Sequence, residues 1–402
     1  MNFKVLLPLL ACTVLPAVAQ DENNIDWNKE LKERITVNGY AQAGYTYSNI
    51  DGTKTNTLDL KRTLLWAKAR ITDRWSFLFM TDFNSQVQEF YTDFRITKGK
   101  QMTLRFGQFK NQLSMENPLS PVVLELVDVC SQGVTYLTGC GSDPLFGINY
   151  GRDLGIDLYG ELLDGKLRYN LELMNGTGIN KKDMDNKKDV IVKLDWRPWD
   201  NFRFVVSAQM GYATAKSYSI YDTQVPRSNS YNNYGYGYGY GYGYGYGYGY
   251  GSGYGSEYAI NTNTIAPGET YSRDRWTAGV EYKGGPNDHW KNRSMTLRGE
   301  WLAGKDKDNV SRGGYVTGSG PIAGQWDWVA SYDYFNYNCD IHYVKANGEY
   351  DPHYDKEQTN LVAGLQYWFY RNCRIQLQYT WSDSWQYKDP THRIQVQTQV
   401  AF

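Results

Sequence analysis

The sequence predicts an all-β fold: a transmembrane antiparallel β-barrel of about sixteen strands, with long external loops on one rim and short periplasmic turns on the other. Three observations predict it. Apolar residues recur at period two in segment after segment, the pattern of strands with one apolar and one polar face. The connections alternate between tight turns and long loops. No stretch beyond residue 20 reaches the roughly 18 consecutive apolar residues of a membrane-spanning helix, although Tyr and Trp, suited to a lipid–water boundary, number 36 and 13.

Taken in order, the chain opens with Lys4, the apolar run Val5–Leu15 and Ala17-Val18-Ala19 before Gln20. This is the form of an export signal with a small-x-small cleavage site. It predicts a signal peptide over 1–19, a short polar leader over 20–33 and a single barrel over 34–402. In the first strand Ile35, Val37, Ala41, Ala43, Tyr45 and Tyr47 share a face. The second breaks phase at Lys61-Arg62, which predicts a bulge. Trp75, Phe77, Phe79 and Phe83 follow the turn at Thr72-Asp73-Arg74, and Phe90, Phe94 and Ile96 oppose Tyr91, Asp93 and Arg95. Asp164-Gly165 marks a hairpin between the strands of Leu158 and Leu171. Phe202 to Met210, Leu297 to Trp301 and Ile375 to Trp381 repeat the alternation. Long loops are expected after Phe109, Asn175, Gly211, Gly304, Asn336 and Asp383, and the strand near Gly313–Thr317 is weakly patterned.

The last strand is the most regular. Ile394, Val396, Thr398, Val400 and Phe402 fall on one face, and Arg393, Gln395, Gln397, Gln399 and Ala401 on the other. Its apolar face suits lipid, its polar face a hydrated lumen, and its edge closes against the first strand. The terminal Phe402 resembles the ending that the insertion machinery of bacterial outer-membrane barrels reads, and is the expected assembly signal.

The long loop over 213–272 carries strict Tyr-Gly repetition from Tyr234 to Gly251. Two readings stand: a flexible loop expanded by slippage, or an aromatic surface that stacks glycans or shields the pore. Formal net charge is −1, which gives no reason to expect nucleic acid as a partner. The four histidines are scattered, and no Ser–His or paired-carboxylate constellation recommends an enzyme. No Cys/His cluster suggests a metal, and no cofactor is expected. Cys130 and Cys140, in a Gly-rich segment, are the candidate disulfide of an oxidising compartment.

Strand parity turns Arg62, Lys68, Arg70, Arg95, Arg105, Arg168, Lys193, Arg203, Arg298, Arg374 and Arg393 towards the lumen, with Asp93, Asp157, Glu172 and Glu300. These are the candidate pore-lining residues. Charges of both signs keep a lumen wet, and rings of one sign select ions.

From Leu104 to Pro121 (LRFGQFKNQLSMENPLSP) the chain resembles the phosphate- and polyphosphate-selective porin O/P family, on Gly107, Gln108, Phe109, Lys110 and Glu116. Gln112 stands where a proline is usual. Gln88–Lys100 and Gly151–Gly178 resemble the neighbouring strands, and Gly324–Asn336 a late strand in which Ser331 replaces a common Arg. The resemblance implies an outer-membrane porin of a Gram-negative bacterium with sixteen strands. It also implies a homotrimer that passes small solutes passively, its constriction partly formed by the third external loop. In this chain that loop, residues 110–150, begins at Lys110 and from Asn111 onward has no Lys or Arg, whereas Glu116, Glu125, Asp128 and Asp143 lie within it. Folded inward, such a loop brings negative charge to the narrowest point and repels phosphate. The expectation is a porin of weak or mildly cation-leaning selectivity, partnered by outer-membrane lipid, the insertion machinery and solutes in transit. The competing reading is a structural or adhesive surface barrel that uses its external loops.

Overall fold

The computed structural model describes residues 33–140, 142–143, 147–215, 258–259, 265–266, 268–284, 294–340, 343–344 and 355–402. The expected signal peptide, most of the leader and the Tyr-Gly tract lie outside these residues. Sixteen strands close into one antiparallel barrel. They are β1 (Ile35–Ile50), β2 (Thr53–Arg70), β3 (Trp75–Asp82), β4 (Val87–Arg95), β5 (Thr103–Lys110), β6 (Arg152–Leu162), β7 (Leu167–Met174) and β8 (Asp189–Trp199). The second half comprises β9 (Phe202–Thr214), β10 (Thr270–Gly284), β11 (Met295–Asp306), β12 (Asn309–Ala323), β13 (Trp326–Asn336), β14 (Glu357–Tyr370), β15 (Cys373–Ser384) and β16 (Thr391–Ala401). Each strand pairs with its chain neighbours, and β16 closes on β1 from Tyr40↔Ala401 to Asn49↔His392. Closure leaves no open edge along that seam, as a wall in lipid requires. Among the described residues no helix is long and apolar enough to cross a membrane.

The register confirms the inside–outside assignment. Val37, Phe106, Val206 and Trp301 on the outer face are each more than half exposed, while Gln42, Arg298 and Gln376 on the inner face are almost fully covered. This is the inverse of a soluble protein, and it fits a wall solvated by lipid. Near the short turns the outer face carries an aromatic belt, with ring contacts Trp75–Phe94, Trp199–Phe202, Phe202–Tyr282 and Trp326–Tyr367. Rings with one apolar body and one polar tip settle at that depth. The expected bulge in β2 is present: Gln42 pairs with Arg62 and Ala43 with Leu60, so that Lys61 is extra. It lets Lys61 and Arg62 both be buried.

The two rims are less regular than expected. The short rim holds the turns at 71–74, 163–166, 200–201, 324–325 and 371–372, and both ends of the barrel. The other rim holds the long connections 111–151, 175–188, 215–269 and 337–356, but also two-residue hairpins at Asp51-Gly52 and Lys307-Asp308. The long loop expected after Gly304 is therefore absent, and the strand expected to be weak is the fifteen-residue β12. Its glycines hide the alternation in the sequence while allowing close strand contact. A Cβ at Gly313 would lie 2.1 Å from the Tyr334 carbonyl oxygen.

Candidate functional site

The third loop, residues 111–151, does not stand above the barrel. It runs into the lumen, carries the short helix α1 (Gln132–Thr138), and packs Leu113, Leu124, Val129, Val134 and Leu137 against Ile191, Leu302, Tyr315 and Phe335 of the wall. Irregular backbone inside a barrel must find partners for its N–H and C=O groups, and the wall supplies them strand by strand. Gln112 N–H donates to Glu172 at 3.0 Å, Lys193 donates to the Ser114 carbonyl at 2.9 Å, and Ser114 N–H donates to Ser207 at 3.0 Å. Met115 N–H donates to Glu300 at 2.9 Å, and Gln132 N–H to Asp333 at 2.7 Å. On β15, Arg374 donates to the Leu124 carbonyl at 2.6 Å, while Gln376 and Gln378 both donate to the Glu125 carbonyl, at 2.9 and 2.7 Å. On β16, Gln399 donates to the Val122 carbonyl at 3.2 Å and Gln395 to the Asp128 carboxylate at 2.9 Å. Gln376 and Gln378 of β15 and Gln399 of β16 thus hold the loop backbone.

The loop's acidic residues meet wall arginines. Arg298 lies 3.1 Å from Glu125 and 3.6 Å from Glu116, and also 2.9 Å from Glu281 of β10. Arg393 lies 2.6 Å from Asp128. Opposite charges this close, away from bulk water, cancel one another's field in the lumen. Asp143 sits in a two-residue ribbon, Ser142–Asp143 paired with Gly147–Ile148. Glu116 is fully buried, and that burial pushes its carboxyl from the ordinary 4.5 up to about 8, against the pull of Arg298. It therefore keeps its proton at neutral pH. A carboxyl whose value is raised on docking favours the docked state most below 4.5, and that contribution is lost as pH rises towards 8. Raising pH across that window is expected to loosen the loop and increase mean conductance. The Glu116→Gln variant should lack this rise in bilayer recordings.

Other expected lining residues form wall pairs. Arg105 donates to Asp93 at 2.8 and 3.1 Å, Arg203 to Asp195 at 2.9 Å, and Arg62 to Gln42 at 2.6 Å, while Asp157 accepts from Asn170 at 2.8 Å. Lys68, Arg70, Arg95 and Arg168 keep the inward parity but stand exposed at the mouth on the short-turn side. Parity reasoning missed Lys61, buried by the bulge, and the pairs Arg152–Glu89 at 2.8 Å and Arg275–Asp306 at 2.7 Å. Arg275 was recoverable from its even spacing to Glu281; Arg152 begins its strand, where alternation has no preceding residue to set phase.

The loop is anchored to β7, β8, β9, β11, β13, β15 and β16, which leaves a cleft on the opposite side. It holds a small cavity of about 30 Å³, lined by Tyr40, Arg62, Leu64, Asp82, Gln88, Lys110, Pro121, Val129, Cys140, Tyr150 and Arg152. Lys110 bridges wall and loop by donating to the Leu119 carbonyl at 2.6 Å. The Cys130 and Cys140 sulfurs lie 3.0 Å apart as free thiols on either side of α1. In an oxidising compartment they are expected to join; intact-mass measurement without reductant should show the loss of two hydrogens, restored by reduction.

No family model and no curated protein sequence matches the chain. Solved structures do. The in-vitro folded OmpT of Vibrio cholerae in its trimer form matches with a TM-score of 0.51 and 11% identity, covering 92% of this chain and 100% of that one. The outer-membrane channel DcaP of Acinetobacter baumannii gives 0.52 and 10%, covering 92% and 97%. The anion-selective porin from Comamonas acidovorans gives 0.52 and 11%, covering 92% and 99%. The likeness is one of fold. The closed barrel is the shared feature, and the solute is left to the site itself.

Proposed function

We propose that this chain is a bacterial outer-membrane porin, a passive channel narrowed by its third loop. The observation that carries the reading is the loop itself: it enters a closed barrel and is pinned along one side of a charged, hydrogen-bonding wall, leaving a narrow cleft along the other. The O/P resemblance, the outer-membrane neighbours and the apolar outer face support it. So does the trimer form of one neighbour for a homotrimeric assembly.

Selectivity follows from which charges remain at the cleft. Glu125 and Asp128 are engaged by Arg298 and Arg393 and Glu116 holds its proton, so the acidic loop contributes little field to a passing ion. The cleft side carries Arg62, Lys110 and Arg152 against Asp82 and Glu89, and Glu89 is bound to Arg152. The reading is therefore a weakly selective pore that leans towards anions, in place of the cation lean expected from loop composition. Reversal potentials in a salt gradient test this: a modest shift towards chloride supports it, and a clear cation preference overturns it. Specific phosphate passage belongs to the same proposal only if phosphate competes with chloride current. One observation favours the second reading, a closed surface barrel: mid-lumen side chains such as Tyr40, Gln376 and Gln399 are covered. Single-channel recording separates the two, since a closed scaffold gives no stepwise current.

A further inference from the structure

A row of ion pairs runs around the wall from the short-turn mouth to the third loop. Arg197, in the bulge where β8 reaches its turn, lies 3.3 Å from Asp195 of the same strand. Arg203 of β9 lies 2.9 Å from Asp195 and 3.7 Å from Glu281 of β10. Glu281 lies 2.9 Å from Arg298 of β11, and Arg298 lies 3.1 Å from Glu125 of the loop. Register sets the steps, since Arg203 pairs with Glu281 and Glu281 with Arg298. The side chain of Arg197 is 39% exposed and that of Arg298 5%, so the ladder leads from water into the packed interior. Arg168 faces Asp195 in register from β7 but is bound to Glu161 at 3.0 Å, and it stands outside the ladder.

Signs alternate along the row, and Asp195, Arg203, Glu281 and Arg298 each have an opposite charge on both sides. An ion shared between two partners closes on one when the other is removed. A change is therefore passed on with its sign reversed at every step. Taking away Arg203 leaves Glu281 to Arg298 alone, and Arg298 is drawn from Glu125 towards Glu281. Taking away the Asp195 charge turns Arg203 to Glu281, weakens the hold of Glu281 on Arg298, and gives Arg298 over to Glu125. Groups in one salt-bridge network couple in this non-additive way.

We propose that Asp195, Arg203 and Glu281 are positioning residues for the third loop: the ladder sets how firmly Arg298 holds it, and alternate members act in opposite directions. Among the described residues none of the three bonds to residues 111–151, so they act through Arg298. A direct field on the loop would work the other way. Lys193, two residues from Asp195 on the same face of β8, holds the Ser114 carbonyl at 2.9 Å. Through Lys193, losing Arg203 would strengthen the contact and losing the Asp195 charge would weaken it. The hold on the loop needs only the barrel; its effect on current rests on the porin reading.

Hydrogen–deuterium exchange of the folded full-length protein in detergent reads how often the loop amides open. Heat-modifiable mobility checks that each variant is folded. The reporting peptides cover Gln112, Ser114, Met115, Val127 and Gln132, whose N–H groups donate to the wall. Arg203→Met should exchange about threefold faster than the parent, and Asp195→Asn about threefold slower. The double variant should match Arg203→Met, because without Arg203 the Asp195 charge has no route to Arg298. Where Arg203→Met does not fold, Arg203→Gln carries the same expectation. Reversed signs, shifts in one direction for both variants, or unchanged exchange overturn the proposal. In bilayers, current noise should rise in Arg203→Met and fall in Asp195→Asn; equal noise overturns control of the pore by the ladder. Silent bilayers with the opposed exchange shifts intact overturn the porin reading while supporting the ladder.

Discussion

Replacing Arg298 with methionine is expected to release the third loop and to raise both mean conductance and current noise. Among the described residues, Arg298 is the guanidinium that meets Glu116, Glu125 and Glu281 together, at 3.6, 3.1 and 2.9 Å. Removing it leaves the buried Glu125 carboxylate without its cation, a loss on the order of 3–5 kcal/mol for a buried pair broken on one side. The wall is held by ladders from both neighbouring strands, so the strain falls on the loop. Limited proteolysis should then cut within residues 111–151 of the variant and spare the same segment in the parent. Adding Glu116→Gln and Glu125→Gln to the variant should restore part of the docking, because the two sites share one partner and do not act additively. Unchanged conductance and unchanged protection would mean that Arg298 does not hold the loop.

Deleting Phe402 is expected to lower the amount of barrel in the membrane several-fold while leaving the conductance of surviving channels unchanged. Phe402 exchanges two backbone hydrogen bonds with Gly39, donating at 3.0 Å and accepting at 3.2 Å, and so finishes the seam between β16 and β1. Its ring lies on the outer face, about three-quarters exposed to the surrounding medium. It passes so close to Gly39 that a Cβ there would sit 2.7 Å from the ring. Gly39→Val should therefore push the ring away and reproduce part of the assembly defect with all of Phe402 present. Heat-modifiable gel mobility of membrane fractions measures both variants. Wild-type levels of folded barrel in the deletion would remove Phe402 as an assembly signal.

The barrel was legible because period two is a local property, written in consecutive residues. The β2 bulge could be placed for the same reason, since Leu60 and Arg62 break the phase between them. β12 was harder: Gly313, Gly314, Gly318 and Gly320 put no side chain on either face, so the alternation disappears where strands approach most closely. The site was legible in its parts and not in its pairings. Arg298, Arg374 and Arg393 were turned inward by parity, and the loop's Glu116, Glu125 and Asp128 were counted as acidic. Nothing in local spacing says that these two sets meet across hundreds of residues. Three glutamines of β15 and β16 illustrate the same limit: parity turns Gln376, Gln378 and Gln399 towards lumen water, whereas they hold the carbonyls of Glu125 and Val122.

Planar-bilayer recording of single barrels tests the central claim most directly. A loop-narrowed passive channel predicts small, stepwise, ohmic openings whose reversal potential in a salt gradient shifts modestly towards anions. Silent bilayers from barrels shown to be folded by heat-modifiable mobility, or a strong cation preference, would contradict it.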